Sequence, residues 1–221
     1  MSLDLFPILT GLSLVAGAAY GLIFLRQPSS PGRTTVKVLG VAILSLITAL
    51  DGAPWPLTIA LALSAVGDGF LAPEGRRWLP LGLGAFLAAH LAYVWEFTAF
   101  GLELRVFDVH PWRLGLMAVA GASGVGMLRW LWPDLGALRL AVAAYVAAIL
   151  AMVCLSLTLP MTLWPAMLGA VMFMASDTLL SVQLFKPSAA WARSREAGLA
   201  VWFLYFFGQW GIAAAFLGPP G

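Results

Sequence analysis

Eight apolar runs, separated only by short turns, leave this chain little freedom in what it can fold into. They cover residues 5–25, 35–50, 55–72, 79–100, 112–131, 135–155, 162–185 and 197–217. A membrane span takes about 20 mostly apolar residues, within a range of roughly 17 to 25. The second and third runs are the shortest and are joined tightly through DGAPWP. The separators RQPSSPGR, APEGRR, WPDLG, TLPMTLWP and FKPSAAWARSRE read as turns, and no soluble domain fits between them. Of the 221 residues, 62% are hydrophobic and 10% charged. A soluble domain carries about a quarter charged residues, so this surface cannot face water all round. The expected fold is all-α, a polytopic membrane bundle of eight transmembrane helices, forming one integral membrane domain over residues 1–221.

The basic residues give that bundle a direction. Arg26, Arg33, Lys37, Arg76, Arg77, Arg129, Arg139, Lys186, Arg193 and Arg195 fall in the first, third, fifth and seventh connections, and only Arg105 and Arg113 on the other face. By the positive-inside rule the ten are cytoplasmic, which puts both termini on the non-cytoplasmic side. The same distribution accounts for the net charge of +2 without a nucleic-acid partner. MSLDLF has no basic cluster, and no small-residue cleavage site follows, so the first run reads as a retained helix. Cys154 stands alone and forms no internal disulfide. Trp55, Trp78, Trp112, Trp130, Trp132 and Trp164 fall at run ends, where amphipathic rings settle at headgroup level. Trp202 and Trp210 fall inside the last run and read as packing residues.

Two aspartates break the pattern. Asp68 lies within LALSAVGDGFL of the third run and Asp177 within MASDTLL of the seventh. A mid-span aspartate costs about 2.5 to 3.5 kcal/mol on insertion scales. Counting residues from the cytoplasmic ends puts Asp68 roughly 7 Å deep, Asp177 and Tyr205 about 12 Å, and His90 about 16 Å. These four are expected to meet in a cavity open to the cytoplasmic leaflet. Ser64 sits four residues before Asp68, Tyr93 three after His90, and Gln209 four after Tyr205, each on a shared helix face. Ser176 adjoins Asp177 but points about 100° away.

An interhelical hydrogen bond is the simpler account of Ser64, Ser176 and Tyr93. His90 and Gln209 fit that account and a functional one equally. The aspartates together favour function, because a serine or asparagine ties helices at smaller cost. Glu96, beside Trp95 at the outer end of the fourth run, reads as an interface residue that snorkels. Asp51, Glu103, Asp108 and His110 read as solvated loop residues. Arg76 and Arg77 stand close enough to Asp68 to grip a lipid phosphate, although setting orientation already explains them.

Two carboxyls in one apolar pocket divide a single proton, which yields a general acid and a general base from identical side chains. Glycosidases use such a pair to cleave an acetal through an oxocarbenium-like state. A three-histidine zinc site cannot be built from two histidines without an H-x-x-x-H pair. A divalent ion held between Asp68 and Asp177 stays open. No G-x-S-x-G elbow, nucleotide-binding loop or base for Cys154 is present.

The segments GDGFL (67–71), GLGAFLAAHLAY (82–93), GAVMFMASDTLLSVQLF (169–185) and YFFGQWGIA (205–213) resemble, in this order, motifs of the YhhN-like lysoplasmalogenase family of eight-helix membrane proteins. The resemblance runs over roughly residues 57 to 215. It implies an alkenyl ether hydrolase that cleaves the vinyl ether bond of a lysoplasmalogen. The products implied are a fatty aldehyde and glycerophosphocholine or glycerophosphoethanolamine. It also implies that the family's paired intramembrane aspartates correspond to Asp68 and Asp177. The arginine pair in APEGRRW and the FFGQW wording around Gln209 depart from the family pattern and bear on substrate fit.

Such a reaction suits the carboxyl pair. One aspartic acid protonates the vinyl carbon, and the other carboxylate steadies the oxocarbenium ion and activates water. Asp68, nearer the headgroups, leans to the water side. Ser64, His90, Tyr93, Tyr205, Gln209, Arg76 and Arg77 form the candidate substrate-binding set for a lysophospholipid taken from the bilayer. No cofactor or metal is required. The competing function is a proton-coupled transporter of a lipid or small solute. Intramembrane carboxylates also relay protons, and each four-helix half carries its aspartate in its third helix, as a parallel repeat would. Short loops and an alanine- and glycine-rich composition suit a bacterial inner membrane.

Overall fold

The computed structural model describes residues 5–73, 75–100, 102–186 and 188–218. Among them the chain is helical, without a strand. α1 (Leu5–Ala19) runs into a π-helical turn (Tyr20–Phe24) and is followed by α2 (Pro31–Asp51), α3 (Trp55–Leu71) and α4 (Leu79–Ala99). A one-turn α5 (Val106–Val109) leads to α6 (Trp112–Leu131), α7 (Arg139–Ser156), α8 (Trp164–Phe185) and α9 (Arg195–Phe216). Among the described residues, seven helices are long and apolar enough to cross a membrane: α1 with its π turn, α2, α4, α6, α7, α8 and α9. The chain is a multi-pass membrane protein. α3, with 17 residues, is the shorter apolar helix by which this set differs from the eight spans expected.

The helix boundaries follow their caps. Ser30 is extended, its side chain accepts the Arg33 N–H, and Pro31 takes the first helical position, where its missing N–H leaves nothing unsatisfied. α2 therefore starts four residues before the apolar run at 35. That corrects the reading of Arg33 and Lys37 as loop charges, since both lie within α2. At its far end Gly52 adopts φ 76°, the left-handed geometry open to glycine, and its N–H returns to the Ala49 carbonyl. Asp51, expected to be solvated, accepts a hydrogen bond from the Gly218 N–H at 3.1 Å. Trp55, Trp112 and Trp164 each open a helix, and Trp130 and Trp132 stand at the end of α6.

Contacts divide the chain into two compact units, Met1–Tyr93 with Phe216–Gly221, and Val94–Ala215. In the first unit, Ser13 Oγ donates to the Gly40 carbonyl at 2.7 Å and ties α1 to α2. Ser45 Oγ donates to the Thr58 carbonyl at 2.9 Å and ties α2 to α3. α3 buries Leu57, Leu61, Ser64 and Asp68, four positions at spacings of three and four that form one stripe. The helical phase that aims two leucines inward thus aims Asp68 inward as well. Next to it, a Cβ on Gly67 would lie 2.6 Å from the Phe86 ring, so only glycine lets α4 come this close to α3.

The second unit rests on comparable devices. A Cβ on Gly124 of α6 would lie 3.0 Å from the Leu150 side chain of α7. α8 and α9 approach through Gly169 and Gly208, and Ser176 Oγ donates to the Val201 carbonyl at 2.8 Å. Two polar side chains differ here from the sequence reading. Arg113 is only 1% exposed rather than a surface orientation charge. Its Nη1 donates to the Leu157 and Leu159 carbonyls at 3.0 and 2.6 Å, and Nη2 reaches Met161 Sδ at 3.4 Å. The carbonyls it serves lie at and just beyond the end of α7, where the intrahelical ladder leaves acceptors unsatisfied. Glu96 does not snorkel, because it is buried on the inward stripe of α4 with Tyr93 and Phe97. Arg113→Met is expected to lower the thermal stability of the purified protein, since each carbonyl left without a donor costs about 1–3 kcal/mol. Intrinsic tryptophan fluorescence during heating reads this out, and an unchanged transition would contradict the assignment.

Candidate active site

The residues picked out from the sequence divide between the two units. Ser64, Asp68, Arg76, Arg77, His90 and Tyr93 belong to the first, and Asp177, Tyr205 and Gln209 to the second.

Asp68 is 2% exposed, and its Oδ1 forms an ion pair with Lys37 Nζ at 3.0 Å. Lys37 was not among the expected site residues. Ser64, one turn before Asp68, donates its Oγ to the Ala60 carbonyl at 2.9 Å, a bond within its own helix. His90 and Tyr93 are fully buried on the inward stripe of α4, one and two turns beyond the Phe86 that packs against Gly67. Arg77 is exposed, with its guanidinium 4.8 Å from the centroid of Trp78. The Arg76 side chain lies outside the described residues.

Behind the ion pair stands a clamp built from the irregular end of α1. A π turn shifts the hydrogen-bond register and releases carbonyls from the α-helical ladder. Arg33 collects them, with Nε donating to the Phe24 carbonyl at 3.2 Å and Nη2 to the Leu25 carbonyl at 3.3 Å. Its Nη1 donates to the Ala72 carbonyl at the end of α3, at 3.2 Å. One side chain of α2 thereby holds the ends of α1 and α3. Tyr20, at the start of the π turn, lies beneath both Arg33 and Lys37, at 5.8 and 5.9 Å from its ring centroid.

Asp177 is half-buried, and its Oδ2 accepts a hydrogen bond from Tyr145 Oη at 2.6 Å. Tyr145, from the middle of α7, is a second functional candidate that the sequence did not expose. Asp177 continues the α8 stripe of Ala166, Ala170 and Phe173, at spacings of four, three and four. Tyr205 of α9 meets Phe173 edge-on, with centroids 5.2 Å apart, and so packs one turn from Asp177. Gln209, one turn beyond Tyr205, is fully buried.

The two aspartates therefore have different partners, a cation at Asp68 and a neutral phenol at Asp177. Among the described residues, no three His, Cys, Asp or Glu side chains gather as a metal site. A cavity of about 350 Å³ in the second unit is lined by Glu103, Arg105, His110 and Met161 with neighbouring apolar side chains, and by none of the expected site residues.

Known proteins bear on this arrangement. No solved structure matches the chain. It is 32% identical over 220 residues to the lysoplasmalogenase of Mycobacterium bovis, covering 91% of this chain and 80% of that protein. The lysoplasmalogenase of Mycobacterium tuberculosis matches with the same identity and coverage. Lysoplasmalogenase TMEM86B of Sus scrofa is 35% identical over 191 residues, 80% of this chain and 74% of that protein. The model of the YhhN family matches residues 32–216, the stretch that holds α2 to α9 and both aspartates, and the chain belongs to the YhhN family.

Proposed function

We propose that this protein hydrolyses the vinyl ether bond of lysoplasmalogens within a bacterial inner membrane. The products are a fatty aldehyde and glycerophosphocholine or glycerophosphoethanolamine, and Asp68 and Asp177 do the proton chemistry. The observation that carries the reading is the likeness, over most of both chains, to lysoplasmalogenases of two mycobacteria and a mammal. The inward-facing aspartates supply the chemistry. α3 serves as the eighth span, since its 17 residues reach about 25 Å at 1.5 Å per residue. The basic connections face the cytoplasm.

In the proposed reaction a protonated aspartic acid delivers its proton to the vinyl carbon remote from the ether oxygen, and the carbon bonded to that oxygen becomes the oxocarbenium centre. Water attacks this centre while the second carboxylate takes a proton from it, giving a hemiacetal. The hemiacetal hydroxyl then returns its proton to the first carboxylate and the carbon–oxygen bond to glycerol breaks. The departing oxygen takes the proton held by the second aspartic acid. Both side chains end as they began. His90, Tyr93, Tyr205, Gln209 and Ser64 hold the carboxyls and the lipid in place, and Arg76 and Arg77 meet the phosphate. Tyr145 steadies Asp177.

The test is purified protein in detergent with an alkenyl lysophospholipid, scored for aldehyde beside the saturated alkyl ether of the same headgroup. Aldehyde from the alkenyl lipid alone is expected. No aldehyde from any alkenyl lipid, with gradient-dependent uptake of one into vesicles, would instead identify a proton-coupled transporter. Tyr145→Phe is expected to lower turnover about 10-fold, in line with the 1.5–3 kcal/mol of a hydrogen bond to a charged group. Steady-state rates of folded variant against wild type check this.

A further inference from the structure

A buried ion pair is an expensive way to hold α2 against α3. Apolar side chains of similar volume do the same work with equal or better stability, and Ser45 with Thr58 already joins the two helices. Lys37 is also set up with unusual care. It lies one turn beyond Arg33 on α2, and both cations stand over the ring of Tyr20. Arg33 spends its guanidinium on the carbonyls of Phe24, Leu25 and Ala72. Lys37, with a side chain 13% exposed, is left to reach Asp68 at 3.0 Å. Asp177 accepts a hydrogen bond from the phenol of Tyr145, a proton donor that carries no charge.

We propose that Lys37 is the positioning residue that holds Asp68 as the ionised carboxylate of the pair. Asp68 is then the group that takes the proton from water, and Asp177 the group that protonates the vinyl carbon. This rests on the two-aspartate reading above and assigns its roles. Lys37 keeps all three of its protons throughout. Asp68 is a carboxylate before and after turnover, carrying a proton only between attack by water and departure of the glycerol oxygen.

The experiment compares Lys37→Met, Lys37→Gln and Lys37→Arg with wild type and with Asp68→Asn, all as full-length protein in detergent, for kcat and KM of aldehyde release. Lys37→Met and Lys37→Gln are expected to lower kcat at least about 10-fold, less than the roughly 100-fold or more lost with an acid–base group itself, with KM little changed. Lys37→Arg, which keeps the charge, restores most of kcat. The glutamine variant carries the test if the methionine variant does not fold. A raised KM with unchanged kcat would make Lys37 a headgroup ligand and overturn the proposal. So would an arginine variant as inactive as the methionine variant, or full activity in both neutral variants beside an inactive Asp68→Asn. Full activity in Asp68→Asn itself would instead remove the two-aspartate reading.

Discussion

Asp68→Asn and Asp177→Asn are each expected to lower aldehyde release from an alkenyl lysophospholipid by at least about 100-fold, the loss typical of a missing general acid or base. Asparagine keeps the size of the side chain and its capacity to accept a hydrogen bond, so Tyr145 Oη retains an acceptor in Asp177→Asn. What disappears is the proton that must move. The two variants should differ in stability, however. Asp68→Asn strands the Lys37 ammonium in a nearly dry site, and an unpaired buried charge costs about 3–5 kcal/mol. The double variant Lys37→Met with Asp68→Asn removes both charges and is expected to melt higher than Asp68→Asn alone while staying inactive. Rates and melting curves measured together separate loss of chemistry from loss of fold. Normal turnover in either single variant would remove that aspartate from the mechanism.

Gly169→Ala is expected to destabilise the protein strongly, because the added methyl would meet backbone. A Cβ there would lie 2.4 Å from the Gly208 carbonyl oxygen and 2.9 Å from the Ile212 nitrogen. Both are backbone atoms, which cannot rotate away. Gly208 repeats the arrangement from the other side, where a Cβ would lie 2.9 Å from the Gly169 carbonyl oxygen. α8 and α9 would have to part, loosening the Ser176–Val201 bond and the edge contact of Tyr205 with Phe173. Overpacking of this kind costs about 1–3 kcal/mol or more, and activity should fall with it because α8 carries Asp177. Gly121→Ala is the control. Nothing lies within 4 Å of its Cβ, so stability should be unchanged or raised. Thermal unfolding of the two variants side by side checks the contrast, and equal curves would contradict the close approach.

Much of this organisation was legible in the sequence, for identifiable reasons. Length and hydropathy were enough to find the helices, since few residues other than those of a span read as twenty apolar positions in a row. The inward aim of Asp68 follows from counting back to Ser64, Leu61 and Leu57. The start of α2 was misjudged because RQPSSPGR reads as one turn, although Ser30–Pro31 within it is a cap followed by a first helical proline. Lys37 was hidden by its place near a span end, where a lysine ordinarily sets orientation. Tyr145 was hidden in AVAAYVAAIL, an apolar setting that gives no sign of a partner 32 residues away. Arg113 was masked in the same way, since its acceptors are carbonyls of another helix. The inward faces of α1 and α2 were also obscure. Leu12 and Val15 face outward while Leu44 and Ile47 are buried, because lipid and protein core favour the same side chains.

Hydrolysis in water carrying both deuterium and oxygen-18, with the aldehyde trapped as it forms, tests the central claim most directly. Protonation of the vinyl carbon by a solvent-equilibrated aspartic acid puts one deuterium on the carbon next to the aldehyde group. Attack of water at the oxocarbenium centre leaves the glycerol oxygen unlabelled. Oxygen-18 in the glycerophosphoester, or an aldehyde without solvent deuterium at that carbon, would contradict the account.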